Sequence, residues 1–277
     1  MVVVTDLDAT LLTSDYSWKE AESAISRLQH LNFPLVFNSS KTAAEMKDLS
    51  EEMRNFSPMI AENGGAIAIP STWPKQAPSS PVEFNITVHG IPRTKICKIA
   101  HELRVREGFQ FEGFSDWTTE ELQHRTGLNA VQARNAKDRA ATEPIIWSDS
   151  DERWLSFEQE LASHGIRVLR GGRFRHLMGS HDKSDGLSLV KELYIQKEPT
   201  TKWTMVALGD SQNDLRMLET ADIGVVIPSQ HGETLAPNGK RIVFAECPGP
   251  KGWAKSINKI LDDAMKKFSS HGEKTSK

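Results

Sequence analysis

Two short apolar runs, VVVTD at 2–6 and TMVALGD at 204–210, each end on an aspartate. A continuous apolar run this short reads as a strand buried on both faces, the kind that lies inside a parallel sheet. Burying a carboxylate is costly without a cation or several hydrogen bonds. In an open parallel sheet, the place where polar groups emerge together is the crevice beyond the carboxyl ends of the strands. The pair of runs therefore predicts that stretches about two hundred positions apart meet at one rim.

The rest of the chain fits that frame. Ser17 and Glu20 have capping-box spacing before a helix with apolar positions at Ala21, Ile25, Leu28 and Leu31. PLVFNSS, 34–40, reads as a strand ending in hydroxyls, and Thr42 with Glu45 opens the next helix. MIAENGGAIAI, 59–69, reads as strand, Gly-Gly turn, strand. Strand and helix alternate up to this point, which predicts a parallel sheet covered by helices. The Pro- and Ser-rich 72–81 reads as a surface connection.

The texture then changes. FNITV is strand-like, 92–106 helical, and 109–114 alternating; Thr118 and Glu121 cap a helix that Gly127 ends, and 129–140 is a further helix. EPIIW reads as strand, the segment from Ser150 to Gly165 as helix, and IRVLRGGRFRHLMG as a strand pair. The first texture returns with a helix over 183–196, the TMVALGD strand, a helix opened by Ser211 and Asp214, two more strands, and a last helix. That last helix places Trp253, Ile257, Ile260, Ala264 and Phe268 on one stripe, and the polar tail after it is expected to fray. The fold class is thus α/β, a doubly wound, mostly parallel sheet with an inserted α+β unit. The core takes 1–83 and 179–277, and the insert takes 84–178.

Composition narrows the function. A net charge of −3 gives no support to nucleic-acid binding, and no apolar run is long enough to span a membrane. No signal peptide is visible, and Cys97 and Cys247 match no zinc or redox spacing; two reduced thiols in a cytoplasmic protein is the expectation. Monomer and homodimer both stay open.

Three strand ends carry polar groups: Asp6 and Asp8, Ser39 and Ser40, Asp210 and Asp214. An oxygen-rich cluster of this kind wants a hard cation, and Mg2+ fits because it takes few carboxylates and completes its shell with water and phosphate. A carboxylate can attack phosphorus, a second carboxyl two residues on can serve the leaving oxygen as acid or base, and a hydroxyl and a lysine can hold the phosphoryl oxygens. Ser39 supplies the hydroxyl, and Lys183, just before a helix, is the candidate lysine.

DLDATLL, FNSSKT, Lys183 and ALGDSQNDLRML resemble the four ordered motifs of the haloacid-dehalogenase superfamily of phosphatases. The insert of about 95 residues is similar to the α+β cap of its sugar-phosphatase branch. SSKTAAEM, AENGGAI, TGLNAVQARNAKDRAATEPIIW, SDSDER and GGRFRHLMG narrow the resemblance to mannosyl-3-phosphoglycerate phosphatases. The resemblance implies a Rossmann-like core and a small-molecule sugar-glycerate phosphate as substrate. By it Asp6 is the nucleophile and Asp8 the general acid/base. The Asp6 carboxylate, the Asp8 carbonyl and Asp210 hold Mg2+, and Asp214 and Asn213 support that site, Asn213 counting with the substrate-binding residues. Ser39 and Lys183 bind the phosphoryl group, and in the cap Arg139, Glu143, Arg173 and His176 touch the glycerate carboxylate and the sugar hydroxyls. Lys41 and Asn63 are further candidates near strand ends.

One position departs from the pattern. The first motif of the family reads Asp-x-Asp-Gly-Thr, and Ala9 stands in the glycine place. Alanine is strained there only if the backbone needs positive φ. Trp117, Trp147 and Trp154 read as packing residues. Three functions stay in view: this substrate or its glucosyl analogue, another phosphate ester handled by the same chemistry, and a non-catalytic binding protein of the same fold.

Overall fold

The computed structural model describes residues 1–74, 82–229 and 235–272. Along them run β1 (Val2–Thr5), α1 (Glu22–His30), β2 (Leu35–Phe37), α2 (Ala43–Glu52), β3 (Met59–Ala61), β4 (Ala66–Pro70), β5 (Phe84–Val88), α3 (Arg93–Glu107), β6 (Phe111–Gly113), α4 (Thr119–Thr126) and α5 (Ala130–Lys137). They continue with β7 (Thr142–Trp147), α6 (Asp151–Ser163), β8 (Arg167–Arg170), β9 (Arg175–Met178), α7 (Lys183–Lys197), β10 (Met205–Gly209), α8 (Leu215–Thr220), β11 (Ile223–Val226), β12 (Ile242–Phe244) and α9 (Gly249–Gly272). The class is α/β. The chain divides into two compact units, Met1–Phe37 with Tyr194–Lys277, and Asn38–Leu193.

The first unit is built on a parallel sheet of order β12-β11-β10-β1-β2. Val2, Val3 and Val4 of β1 and Val206, Ala207 and Leu208 of β10 are fully buried, which explains why these strands are apolar throughout rather than alternating. The pairing Thr5↔Leu208 sets the register, so β1 and β10 end side by side and both aspartates leave the same edge. On α9, Trp253, Ile257, Ile260 and Leu261 are buried, and α9 packs on α1, where Arg27 donates to Asn258 and pairs with Asp262. Trp253 also donates its indole N–H to Thr5 Oγ1 at 2.9 Å, satisfying two polar groups in the core. Ala264 is only half-buried, so the stripe fades toward the end of the helix. The Phe268 side chain and the expected fraying after residue 272 lie outside the described residues, as does most of the 72–81 connection.

The second unit carries two antiparallel sheets. One has the order β3-β4-β5, the other β6-β7-β9-β8. Ile96, Ile99, Ala100 and Leu103 of α3 join Trp154, Phe157 and Leu161 of α6 in a core against Ile145 and Leu177 of the larger sheet. A smaller cluster joins Phe114 and Trp117 to Leu122, Ala133 and Ala136 of α4 and α5. Trp117 and Trp154 are thus packing residues, and Trp147 packs partly buried against the larger core. The Thr42–Glu45 and Thr118–Glu121 boxes form as the sequence implies, and Gly127 ends α4 with φ +80.

Three local expectations are corrected. The strand at 59–61 does not extend the parallel sheet; a single parallel bridge joins Asn38 to Ile60, and β3 pairs antiparallel with β4. The cause is the turn between them, where Glu62, Asn63 and Gly64 all have positive φ and reverse the chain at once. Ser17 and Glu20 make no capping box: a 3-10 turn, Lys19–Ala21, comes first, and Ala21 precedes α1 without a side-chain cap. Ser17 is committed elsewhere, its N–H to Thr13 Oγ1 and its carbonyl to the Thr13 N–H. The helix expected over 129–140 stops at Lys137, because the next residues are drawn to partners described below.

Candidate active site

Backbone geometry delivers three acids to one place. The Asp6 N–H donates to the Leu208 carbonyl at 2.9 Å, continuing the β1–β10 ladder past its last strand residue. Asp6, Asp210 and Asp214 are all buried, and each offers a carboxylate oxygen within 4.8 Å of the others. Asp214 is fixed by the turn that follows β10: its carboxylate accepts the N–H groups of Asp210 (3.1 Å) and Ser211 (3.0 Å) and the Ser211 hydroxyl (3.1 Å). Gly209 makes this possible, since a Cβ there would lie 2.4 Å from the Asp214 Cβ. Thr10, fully buried, donates to Asp210 Oδ1 at 2.7 Å. Three buried carboxylates this close repel one another. An all-oxygen, anionic donor set fits a small hard divalent cation.

Asp8 is exposed on the same loop, two residues after Asp6. The Leu7 carbonyl gathers the N–H groups of Thr10, Leu11 and Leu12, so the loop turns tightly. That turn needs positive φ at Ala9, which adopts +59. An L-residue pays about 1–2 kcal/mol for that conformation, while glycine adds about 0.4–1 kcal/mol of unfolded-chain entropy. Ala9→Gly should therefore stabilise the protein by about 0.5–1 kcal/mol, read as a higher thermal midpoint. An unchanged or lower midpoint would remove the strain argument.

In the second unit the serine and lysine segments are joined directly. Asn38, next to Ser39, donates its side-chain amide to the Lys183 carbonyl at 2.9 Å. Ser39 is buried, and its Oγ accepts the Lys41 N–H at 3.2 Å. Lys183 is also buried, at the start of α7. Asp182 before it accepts the Ser184 N–H and hydroxyl, at 2.7 and 2.5 Å, and donates its N–H to Asp185. Gly64 closes onto this segment: at φ +93, a Cβ there would stand 2.0 Å from the Asp182 carbonyl oxygen.

The four expected cap residues fall into two groups. Arg139 is 4% exposed, and its guanidinium donates to Thr142 Oγ1 (2.8 Å), the Ser40 carbonyl (2.8 Å) and the Ala136 carbonyl (3.4 Å). Glu143 stands opposite Leu177 on the α3 face of the sheet, where it pairs with Arg93 at 2.6 Å and accepts the Ser115 N–H at 2.7 Å. His176 lies on the other face, opposite Pro144, and its buried Nδ1 has no hydrogen-bond partner among the described residues. Burial, and then the Arg139 charge, push its pKa down to about 3, so the ring is neutral at pH 7. Arg173 is exposed in the β8–β9 turn and donates to the Arg125 and Thr126 carbonyls at 3.3 Å.

Sequence reasoning missed Glu62 and His181. Glu62 sits in the ENGG segment read only as a turn, and its burial and positive φ show only in the fold. His181, two residues before Lys183, is 3% exposed, and neither ring nitrogen has a hydrogen-bond partner among the described residues. Burial, followed by the Arg167 charge, holds its pKa below the usual histidine range.

The site and sheet now have a family to stand beside. The model of the haloacid dehalogenase-like hydrolases matches residues 3–236, and the chain belongs to that family. A Persephonella marina protein described as a glucosyl-3-phosphoglycerate/mannosyl-3-phosphoglycerate phosphatase is 35% identical, over 95% of this chain and 98% of that one. A Methanococcoides burtonii protein of the same description is 32% identical, over 94% and 97%. With matches of this length and identity, the chain is a phosphatase, a phosphoric monoester hydrolase. Among solved structures, a haloacid dehalogenase-like hydrolase from Bacteroides thetaiotaomicron has a TM-score of 0.65 at 19% identity, covering 94% of this chain and 98% of that one. A Thermoplasma acidophilum protein has the same score at 15% identity, covering 93% and 96%. Both show the shared fold. No helix among the described residues is long and apolar enough to cross a membrane, and Cys97 and Cys247 are free thiols.

Proposed function

We propose that the protein hydrolyses mannosyl-3-phosphoglycerate to mannosylglycerate and phosphate, accepts the glucosyl analogue, and needs Mg2+. The observation that carries this reading is the full-length likeness to two relatives named for those two substrates, joined to the buried Asp6, Asp210 and Asp214 cluster. Those three carboxylates, with the Asp8 carbonyl, hold the cation, whose charge offsets the repulsion between an attacking carboxylate and a phosphate dianion.

The protein's own groups do the rest. An Asp6 oxygen attacks phosphorus, the bond from phosphorus to the glycerate oxygen breaks, and Asp8 gives that oxygen its proton. Asp8 then takes a proton from the water that attacks the aspartyl-phosphate, which returns Asp6 and releases phosphate. The Ser39 hydroxyl and the Lys183 ammonium hold the phosphoryl oxygens as their charge redistributes. Residues 84–178 act as a cap that selects the substrate, His176 and Arg173 meeting its hydroxyls and carboxylate and Asn213 lying beside the metal site; an arginine fork suits a carboxylate. A cytoplasmic setting accords with the two free thiols.

The test is turnover across a panel of phosphate esters with Mg2+: both glycosyl-3-phosphoglycerates, several sugar phosphates, phosphoglycolate and an aryl phosphate. The glycosyl-3-phosphoglycerates should exceed the others in kcat/KM by at least about 100-fold, the discrimination a few well-placed polar contacts provide. A flat profile across the panel would overturn the substrate assignment.

A further inference from the structure

We infer that Glu62 and Arg139 are positioning residues that set the backbone of the phosphoryl-binding serine loop, and that Arg139 acts through that loop rather than on the substrate. This rests on the phosphatase reading above. Three consecutive carbonyls of the loop are each held by one donor of this cluster. The Ser39 carbonyl accepts the Asn63 N–H at 2.9 Å, the Ser40 carbonyl accepts Arg139 Nη2 at 2.8 Å, and the Lys41 carbonyl accepts the Glu62 N–H at 2.9 Å. The Ser39 N–H is tied as well, to the Ile60 carbonyl at 3.0 Å. The backbone that carries the Ser39 hydroxyl is therefore held by Asn63, Glu62 and Arg139 together.

Glu62 in turn orients the arginine. Its carboxylate, 2% exposed, accepts the Ala140 N–H (2.6 Å), the Ala141 N–H (3.1 Å) and the Thr142 hydroxyl (2.6 Å), and lies 3.7 Å from Arg139 Nε. Those bonds pull 139–142 out of helix and turn the guanidinium onto Ser40. The two opposite charges are buried close together, and Glu45 stands 4.0 Å from Arg139 Nη1 as well, so the arginine lies between two carboxylates. Glu62 and Asn63 adopt positive φ, +53 and +55, which non-glycine residues rarely do unless the surroundings over-determine it. Strain of this kind clusters at functional sites, and here it aims two N–H groups at the loop.

A direct substrate contact and a positioning role make opposite kinetic demands. Arg139→Met, Arg139→Lys and Glu62→Gln should be assayed on mannosyl-3-phosphoglycerate and on p-nitrophenyl phosphate, which has neither carboxylate nor sugar. Folding is monitored by circular dichroism at the assay temperature. A misplaced phosphoryl group lowers kcat on both esters by a similar factor, about 10- to 100-fold, with the glycosyl-ester KM moving less than about threefold. Arg139→Lys, which can still reach one carbonyl, should recover part of the loss. Glu62→Gln should lower kcat in the same proportion on both esters. If Arg139→Met fails to fold, the Arg139→Lys and Glu62→Gln pair carries the same comparison.

A rise in KM confined to the glycosyl ester, with aryl-phosphate kcat unchanged, would overturn the inference in favour of direct contact. So would variants that match the parent on both substrates. Should the parent turn over the aryl phosphate but not the glycosyl ester, the substrate assignment fails while the aryl arm still decides the positioning role. A parent inactive on both esters would end both.

Discussion

Asp6→Asn lowers kcat by at least about 1000-fold on every ester the parent turns over, and leaves the fold as steady as before or steadier. The loss follows from chemistry: a neutral amide oxygen is a poor nucleophile toward phosphorus, and residues that act as a unit cost nearly the whole rate when one is removed. The stability half follows from the cluster. Asp6, Asp210 and Asp214 share a buried volume in which their oxygens lie within 4.8 Å of one another. Removing one of three like charges of nearly the same shape relieves repulsion. Measured without divalent cations, the thermal midpoint should therefore hold or rise. With Mg2+ added the parent should gain more than the variant, because ligand binding stabilises the state that binds it. Retention of activity within about tenfold would mean that Asp6 is not the nucleophile.

Gly64→Ala has the second large effect, on stability. At φ +93 any side chain is strained by about 1–2 kcal/mol. The added Cβ would also stand 2.0 Å from the Asp182 carbonyl oxygen, a backbone atom that no rotamer change can move. Forcing backbones apart costs typically another 1–3 kcal/mol, so about 3 kcal/mol in all, or a midpoint lower by about 10 °C. The displacement falls on the segment that begins α7, where Asp182 bonds Ser184 and Lys183 follows it. On the proposed mechanism kcat drops too, at temperatures where the variant stays folded. A midpoint within about 2 °C of the parent would show that the turn has room the glycine geometry denies.

How far the sequence reached depended on the range of the contact. Thr42 with Glu45 and Thr118 with Glu121 were legible because both partners sit within one turn of helix. The Ser17 and Glu20 box had the same spacing and did not form, since Ser17 is taken by Thr13 four residues back. A spacing rule sees only the helix it expects. The Glu62 cluster left no local trace at all, because its carboxylate bonds groups 78 to 80 positions away. Ala9 stood between the two: sequence showed that a glycine was replaced, and only the +59 torsion showed that the replacement is strained.

The sequence by itself determined which segments become buried strands and that acids and hydroxyls stand at their ends, because burial and periodicity are written in neighbouring residues. Tertiary structure alone decided how closely Asp6, Asp210 and Asp214, which the sequence already sends to one rim, gather, and that Arg139 turns to a backbone carbonyl and Glu143 to Arg93. Buried charges settle wherever the fold brings an opposite charge or a set of donors close enough to offset lost hydration, and that distance is set by strand register and packing.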